Sequence, residues 1–195
     1  VQTDRRFTVF HACNSHHIYM ADLIYAMRSH GFDIDIVSDE EFEAAVKEFA
    51  KNMAWYKMNN FHLHLSDNLI FLEDYPTMQD AIDNAYAGFR LESEIPNLTS
   101  EDTYYTKEEF RSFIKDSRNM GVNIIPEFDM PAHALAITRA FPNLMTKEAG
   151  GNHRYLIEEL DIRKDGALDA AKSVWAQYFE GDDPVFDKDT TVHIG

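Results

Sequence analysis

An alternation constrains this chain more than any other feature. Short stretches of strand character are separated by longer segments whose apolar residues recur at helical spacing. FDIDIV (32–37) alternates apolar and acidic residues. NFHLHLSD (60–67) puts Phe61, Leu63 and Leu65 on one face and His62, His64 and Ser66 on the other. GVNIIPEFDMPAH (121–133) is stopped by Pro126 and Pro131, and TTVHIG (190–195) ends on glycine. Between them, Ser38-Asp39-Glu40-Glu41 reads as a capping box. The helix it opens carries Phe42, Val46, Phe49, Ala50, Met53 and Trp55 or Tyr56 on its apolar side. Thr106-Lys107-Glu108-Glu109 caps another, with Phe110, Phe113, Ile114 and Met120 facing inward, and residues 165–180 predict a further helix. Strands alternating with helices require crossover connections, hence an α/β fold with a parallel sheet. The connection from Asn68 to Tyr105 is too long for a simple loop. It carries Pro76, Gly88, Pro96 and aromatics, which predicts a folded insertion beside a site. Segment 143–163 has a similar character, with KEAGGNHRY as its loosest part.

Polar residues gather where these strands end: Ser66-Asp67-Asn68, Glu127 to His133, and His193. A closed (β/α)8 barrel presents its chemistry at the C-terminal ends of strands. A doubly wound sheet does so too, but no glycine-rich phosphate loop follows any strand here. The formal net charge of -16 argues against a phosphate-tracking nucleic-acid binder and against adsorption to anionic membranes. Cys13 stands alone, which excludes an internal disulfide framework and a cysteine-built zinc site. No apolar run reaches the roughly 18 residues of a membrane span. VQTDRRFTVF has no signal-peptide core and no initiating Met, so the expectation is an internal piece of a longer chain.

Three motifs, in order and at matching spacing, resemble glycoside hydrolase family 20, the β-N-acetylhexosaminidases. They are HLHLSD at the end of the second strand, PEFDMPAH after the third, and VHIG opening the fourth. The resemblance covers residues of about 45–195. It implies an incomplete (β/α)8 TIM barrel of roughly the first four βα units. The activity it implies is removal of terminal β-linked N-acetylhexosamine with retention at the anomeric carbon, the sugar's own acetamido oxygen attacking C1. In that family an Asp orients the acetamido group and an adjacent Glu protonates the leaving oxygen, both directly after His-x-Gly. By resemblance they would lie after Gly195, so no catalytic residue is assigned and the isolated chain is expected to be inactive or nearly so. Asp67, Glu127, Asp129, His133 and His193 are the residues expected to bind substrate or support the site. Asp129 and His133 match the family's acid–histidine pair near the general acid. His62 and His64 are expected to line the barrel or to stand behind the groups that contact substrate rather than ligate metal, and the resemblance implies neither a metal nor any other cofactor. N-acetylglucosamine- or N-acetylgalactosamine-terminated glycans are the implied partners, without nucleic acid or membrane insertion, and the implied setting is extracellular or at the cell surface. Asn68 stands where many members have a second Asp, and Ala132 where Gly is more common.

Residues 1–45 depart from this pattern and form a βα segment of uncertain origin, with 46–195 as the truncated barrel. Where the family carries Arg-Gly-Phe on strand one, HGFDIDIV keeps Gly31 and Phe32 but has His30, and the nearest arginine is Arg28. Residues of about 7–45 weakly resemble the late βα segment of a short-chain reductase domain linked to peptide synthetases. His11, His16 and His17 are expected in a loop before a helix rather than around a metal. Trp55, Tyr56, Phe110, Phe113 and Trp175 are expected to pack the core rather than to stack on sugar. The alternative function is a non-catalytic carbohydrate-binding or interaction module, or a fusion with a reductase-like piece.

Overall fold

Residues 9–12, 39–70, 75–101, 104–146 and 158–195 are described by the computed structural model. FDIDIV, Ser38, His16, His17 and KEAGGNHRY lie outside the described residues. The sheet that positions the site holds β1 (Val9–Ala12), β2 (Asn60–His64) and β5 (Asn123–Glu127), in the order β1-β2-β5 and all parallel. His11 pairs with His62 on β1, in a strand rather than the expected loop. On the other side of β5 the C-terminal segment joins through a parallel bridge between Glu127 and His193. His193 N–H donates to Pro126 O (3.0 Å) and Met130 N–H to Ile194 O (2.9 Å). The expected strand TTVHIG is thus reduced to a bridge at His193. Its first residue belongs instead to a turn, where Thr190 N–H and Oγ1 both donate to Asp187.

NFHLHLSD is not one strand. The chain changes sheets at Leu65, whose N–H donates to Glu127 O while its carbonyl accepts from Arg90 N–H. Beyond it β3 (Ser66–Leu69) pairs antiparallel with β4 (Tyr86–Phe89), and the short helix α2 (Met78–Asp83) lies between them in the chain. The long connection is therefore a folded insertion, built at the end of β2.

Helix α1 (Asp39–Trp55) leads into β2 and α3 (Lys107–Asn119) into β5. The Thr106/Glu109 capping box is present in full at the start of α3, and Phe110, Phe113 and Ile114 are buried as their spacing predicts. Trp55 and Tyr56 are 83% and 75% exposed, contrary to expectation. Helix α1 closes in a Schellman arrangement, with Met58 N–H on Met53 O, Lys57 N–H on Ala54 O and Lys57 at φ 61°. With 3.6 residues per turn, Trp55 lies on the opposite side of the helix from the buried Met53 and so faces solvent, while Met58 beyond the reversal packs against the core. Met120 is also exposed, because it caps α3 rather than lying within it. Two further helices, α4 (Leu135–Ala140) and α5 (Ala167–Phe179), follow β5. The core joins Phe61, Phe89, Phe110, Phe128, Tyr178 and Phe186, all fully buried, and Trp175 packs against it partly buried. Among the described residues no helix is long and apolar enough to cross a membrane.

Candidate active site

β2 is buried on both faces, as the central strand of a covered parallel sheet must be. Strand alternation puts His62 and His64 on one side of it, and parallel register sets His64 opposite Glu127 at the end of β5. From that pairing a chain of imidazoles and carboxylates extends. His64 Nδ1 lies 2.8 Å from Glu127 Oε2, and its Nε2 lies 3.0 Å from Asp67 Oδ2. Asp67 Oδ1 faces His133 Nδ1 at 3.0 Å, and Glu127 Oε1 faces His193 Nδ1 at 2.9 Å. His62 Nε2 lies 2.8 Å from Glu127 Oε2, its ring 4.6 Å from that of His193. The His64, Glu127 and Asp67 side chains are 4%, 5% and 8% exposed, whereas those of His133 and His193 are about half exposed.

Two hydroxyl and amide side chains pin the surrounding loops. Ser66 Oγ accepts from Asp129 N–H (2.9 Å) and Asn68 Oδ1 from Leu135 N–H (3.1 Å), which ties the start of β3 to the segment after β5. Asn68 N–H donates to Asp67 Oδ1 (2.7 Å) and fixes that carboxylate further. His133 has φ 50°, a left-handed conformation that is sparsely used by residues with a side chain and concentrates at functional sites. Gly195, at φ 106°, passes so close to Asp129 that a Cβ at that position would lie 2.0 Å from Oδ1.

The electrostatics follow from this packing. Burial pushes the Glu127 carboxyl up and is the largest single influence on it. The His64 hydrogen bond, the His64 and His62 charges and the His193 hydrogen bond together outweigh burial and bring it down to about 2. The hydrogen bond to Asp67 raises the His133 imidazole, burial opposes it, and the charges of Asp67 and Asp129 add to the rise. Burial raises the Asp129 carboxyl above the usual carboxylate range; His133 and His64 counter that, while Glu127 and Asp67 reinforce it.

Asp67, Glu127, Asp129, His133 and His193, all expected from the sequence, therefore come together at one end of the parallel sheet. One pairing differs from expectation. His133 hydrogen-bonds Asp67 rather than Asp129, because its left-handed turn swings the ring toward β3 while the Asp129 carboxylate rests against Gly195. His64, expected to line the barrel or to stand behind the groups that contact substrate, joins the two buried carboxylates. The His-x-His alternation, with Asp three residues on, carried that signal. Two sets, His62–Glu127–His193 and His64–Glu127–Asp129, bring ligand-type atoms within 4.8 Å of one another, as a cation site also does. Imidazole nitrogens also face both Glu127 oxygens at hydrogen-bonding distance. Chemically, Asp67 holds the Nδ1–H tautomer of a half-exposed imidazole, beside a carboxyl whose burial favours its protonated form.

The glycosyl hydrolase family 20 catalytic domain model matches residues 31–195. This chain belongs to that family. Relatives include the beta-hexosaminidase of Akkermansia muciniphila, 29% identical over 125 residues, covering 58% of this chain and 24% of that protein. The beta-hexosaminidase of Vibrio furnissii is 34% identical over 109 residues, covering 53% and 18%. The solved chitobiase of Flavobacterium johnsoniae superposes with a TM-score of 0.51 at 28% identity, over 68% of this chain and 19% of that one. The chain thus spans about a quarter or less of the length of these relatives. Family 20 enzymes of known structure are TIM barrels, and the mixed α/β architecture with its run of parallel strands agrees with that class.

Proposed function

We propose that the protein to which this chain belongs hydrolyses terminal β-linked N-acetylhexosamine residues, with the sugar's acetamido oxygen as nucleophile. The observation that carries this reading is the Asp67–His133 pair with Asp129 beside it, at the C-terminal ends of parallel strands. In this reading His133 tunes a neighbouring acid and Asp129 contacts the sugar, while the acid Glu and its partner Asp come from residues after Gly195. The names of two relatives, chitobiase and N,N'-diacetylchitobiase of Vibrio harveyi, support an N-acetylglucosamine-terminated substrate. N-acetylgalactosamine-terminated glycans are the second candidate.

In this reading β1, β2, β5 and the segment bridged at His193 belong to the first four βα units of a barrel that further units complete, with β3 and β4 as an insertion. An apolar groove of about 830 Å³ supports this, with Met130, Leu160, Leu168, Trp175, Phe179 and Ile194 along it. Leu168 and Ile194 are well exposed there, as residues awaiting a neighbouring helix and strand would be.

A chromogenic N-acetyl-β-glucosaminide provides the test. The 195-residue chain alone is expected to give no turnover, and the chain extended through its downstream sequence to give it. In the extended protein His133→Ala is expected to reduce turnover by about 10²-fold or more. Binding of the sugar without turnover there would instead favour a carbohydrate-binding module, and an undiminished rate in His133→Ala would overturn the assigned role.

A further inference from the structure

His64 presents both ring nitrogens to carboxylate oxygens, Nδ1 to Glu127 at 2.8 Å and Nε2 to Asp67 at 3.0 Å. A neutral imidazole has one donor and one acceptor. In either neutral tautomer a bare lone pair would face an ionised oxygen at hydrogen-bonding distance. All three side chains are more than nine-tenths buried, so water cannot relieve that contact. A second ring proton converts both contacts into charge-assisted donations. The other remedy, a proton on one of the carboxyls, fits poorly. Glu127 also faces His62 and His193, and Asp67 also accepts from Asn68 N–H and His133. Both are thereby set up as acceptors.

We propose that His64 is a standing imidazolium and a positioning residue: its two donations compensate the buried Glu127 and Asp67 and hold Asp67 so that Oδ1 meets His133. The groups facing it, among the described residues, are Glu127 from β5, Asp67 from β3 and Asp129 from the segment after β5. His62 and His193 share Glu127 with it, and His133 shares Asp67. The low position of the Glu127 carboxyl, with His64 the leading stabilising influence, agrees with this arrangement. The arrangement also explains how two carboxylates can sit in one interior without either being forced neutral, since an unpaired buried charge is strongly unfavourable. That His64 serves catalysis through His133 rests on the hydrolase reading; its charge state does not.

The test is a two-bond ¹H–¹⁵N correlation of the imidazoles in the labelled 195-residue chain between pH 5 and 8, with His64→Gln identifying the resonance. Both His64 nitrogens are expected to carry protons throughout, with no titration in that range. A neutral tautomer, or a midpoint near that of an ordinary histidine, would overturn the proposal. The same variant supplies a readout that a merely structural role would not move. Removing a positive charge from Asp67 is expected to raise the His133 titration midpoint by about one pH unit. An unchanged midpoint in folded His64→Gln would show a neutral spacer instead. Should that variant fail to fold, assignment by Glu127 and Asp67 single substitutions leaves the wild-type spectrum decisive. None of these measurements needs turnover, so a failed glycosidase assay would count against the hydrolase reading alone, and a neutral His64 against this proposal alone.

Discussion

Glu127 and Phe128 leave β5 side by side and enter different interiors. Glu127 turns into a polar hub where imidazoles of His62, His64 and His193 meet its carboxylate. Phe128 turns the other way, stacks on Phe89 at 4.5 Å and packs against Trp175 (4.5 Å) and Tyr178 (5.4 Å). Both residues are almost inaccessible to water. The aromatic side is non-directional: any filling of similar volume would serve, and its stability comes from the area removed from water. The hub is directional, because every member has to supply the donor or acceptor its neighbour lacks, and an incomplete hub is worse than an apolar one. One strand end thus joins a tolerant half to an intolerant half.

Phe128→Ala is the largest expected perturbation. The cavity it leaves should cost about 3–5 kcal/mol in urea unfolding, and Phe128→Leu should recover most of that. A loss below about 1 kcal/mol in Phe128→Ala would mean that the aromatic layer contributes less than its burial implies. Glu127→Gln tests the other half: the amide keeps the shape but presents a donor to an imidazole, with an expected cost of about 1–3 kcal/mol. Its pH dependence is diagnostic. The folded Glu127 carboxyl lies at about 2 against an ordinary 4.5, so it contributes stability above pH 4.5 that is lost as pH falls through 2. The gap between wild type and Glu127→Gln should therefore be constant from pH 5 to 7 and close between 4.5 and 2. A gap that stays constant down to pH 2 would remove the hub's charge from the account. His133 has the opposite sign. Its raised folded pKa gives a small contribution that is complete below pH 6.5 and lost as pH rises through the folded value, and His133→Ala should flatten that slope. Smallest of all, the exposed ion pair of Arg118 with Asp187 lies outside both halves, and Arg118→Ala should cost about 1 kcal/mol or less.

The parts of the molecule that local rules govern were legible in the sequence. The Thr106 capping box, the buried Phe110 and Phe113, and the alternation of β2 all follow from spacing within a few residues. What was not legible depends on distant partners or on a break that periodicity runs through. The period-2 pattern continues across Leu65, although the chain changes sheets there, because only the far-off Glu127 and Arg90 backbones decide which ladder Leu65 joins. Tyr56, one residue before Lys57 reverses the chain, kept the spacing of a core residue although the helix has already ended at Trp55. The five residues that meet at the strand ends could be named from their motifs, but the partner of His133 could not. Asp129, four residues away, and Asp67, sixty-six away, are equally good acceptors until the fold brings one of them to 3.0 Å.

The close passage of Gly195 against Asp129 bears on how this sequence can drift. Any residue other than glycine carries a Cβ, and at position 195 that carbon would fall 2.0 Å from Asp129 Oδ1 and 3.0 Å from Met130 N. A side chain at position 195 is therefore accommodated only if the Asp129 carboxylate moves away. The bare backbone at one position and the carboxylate at the other thus fill one space, although sixty-six positions separate them in the chain.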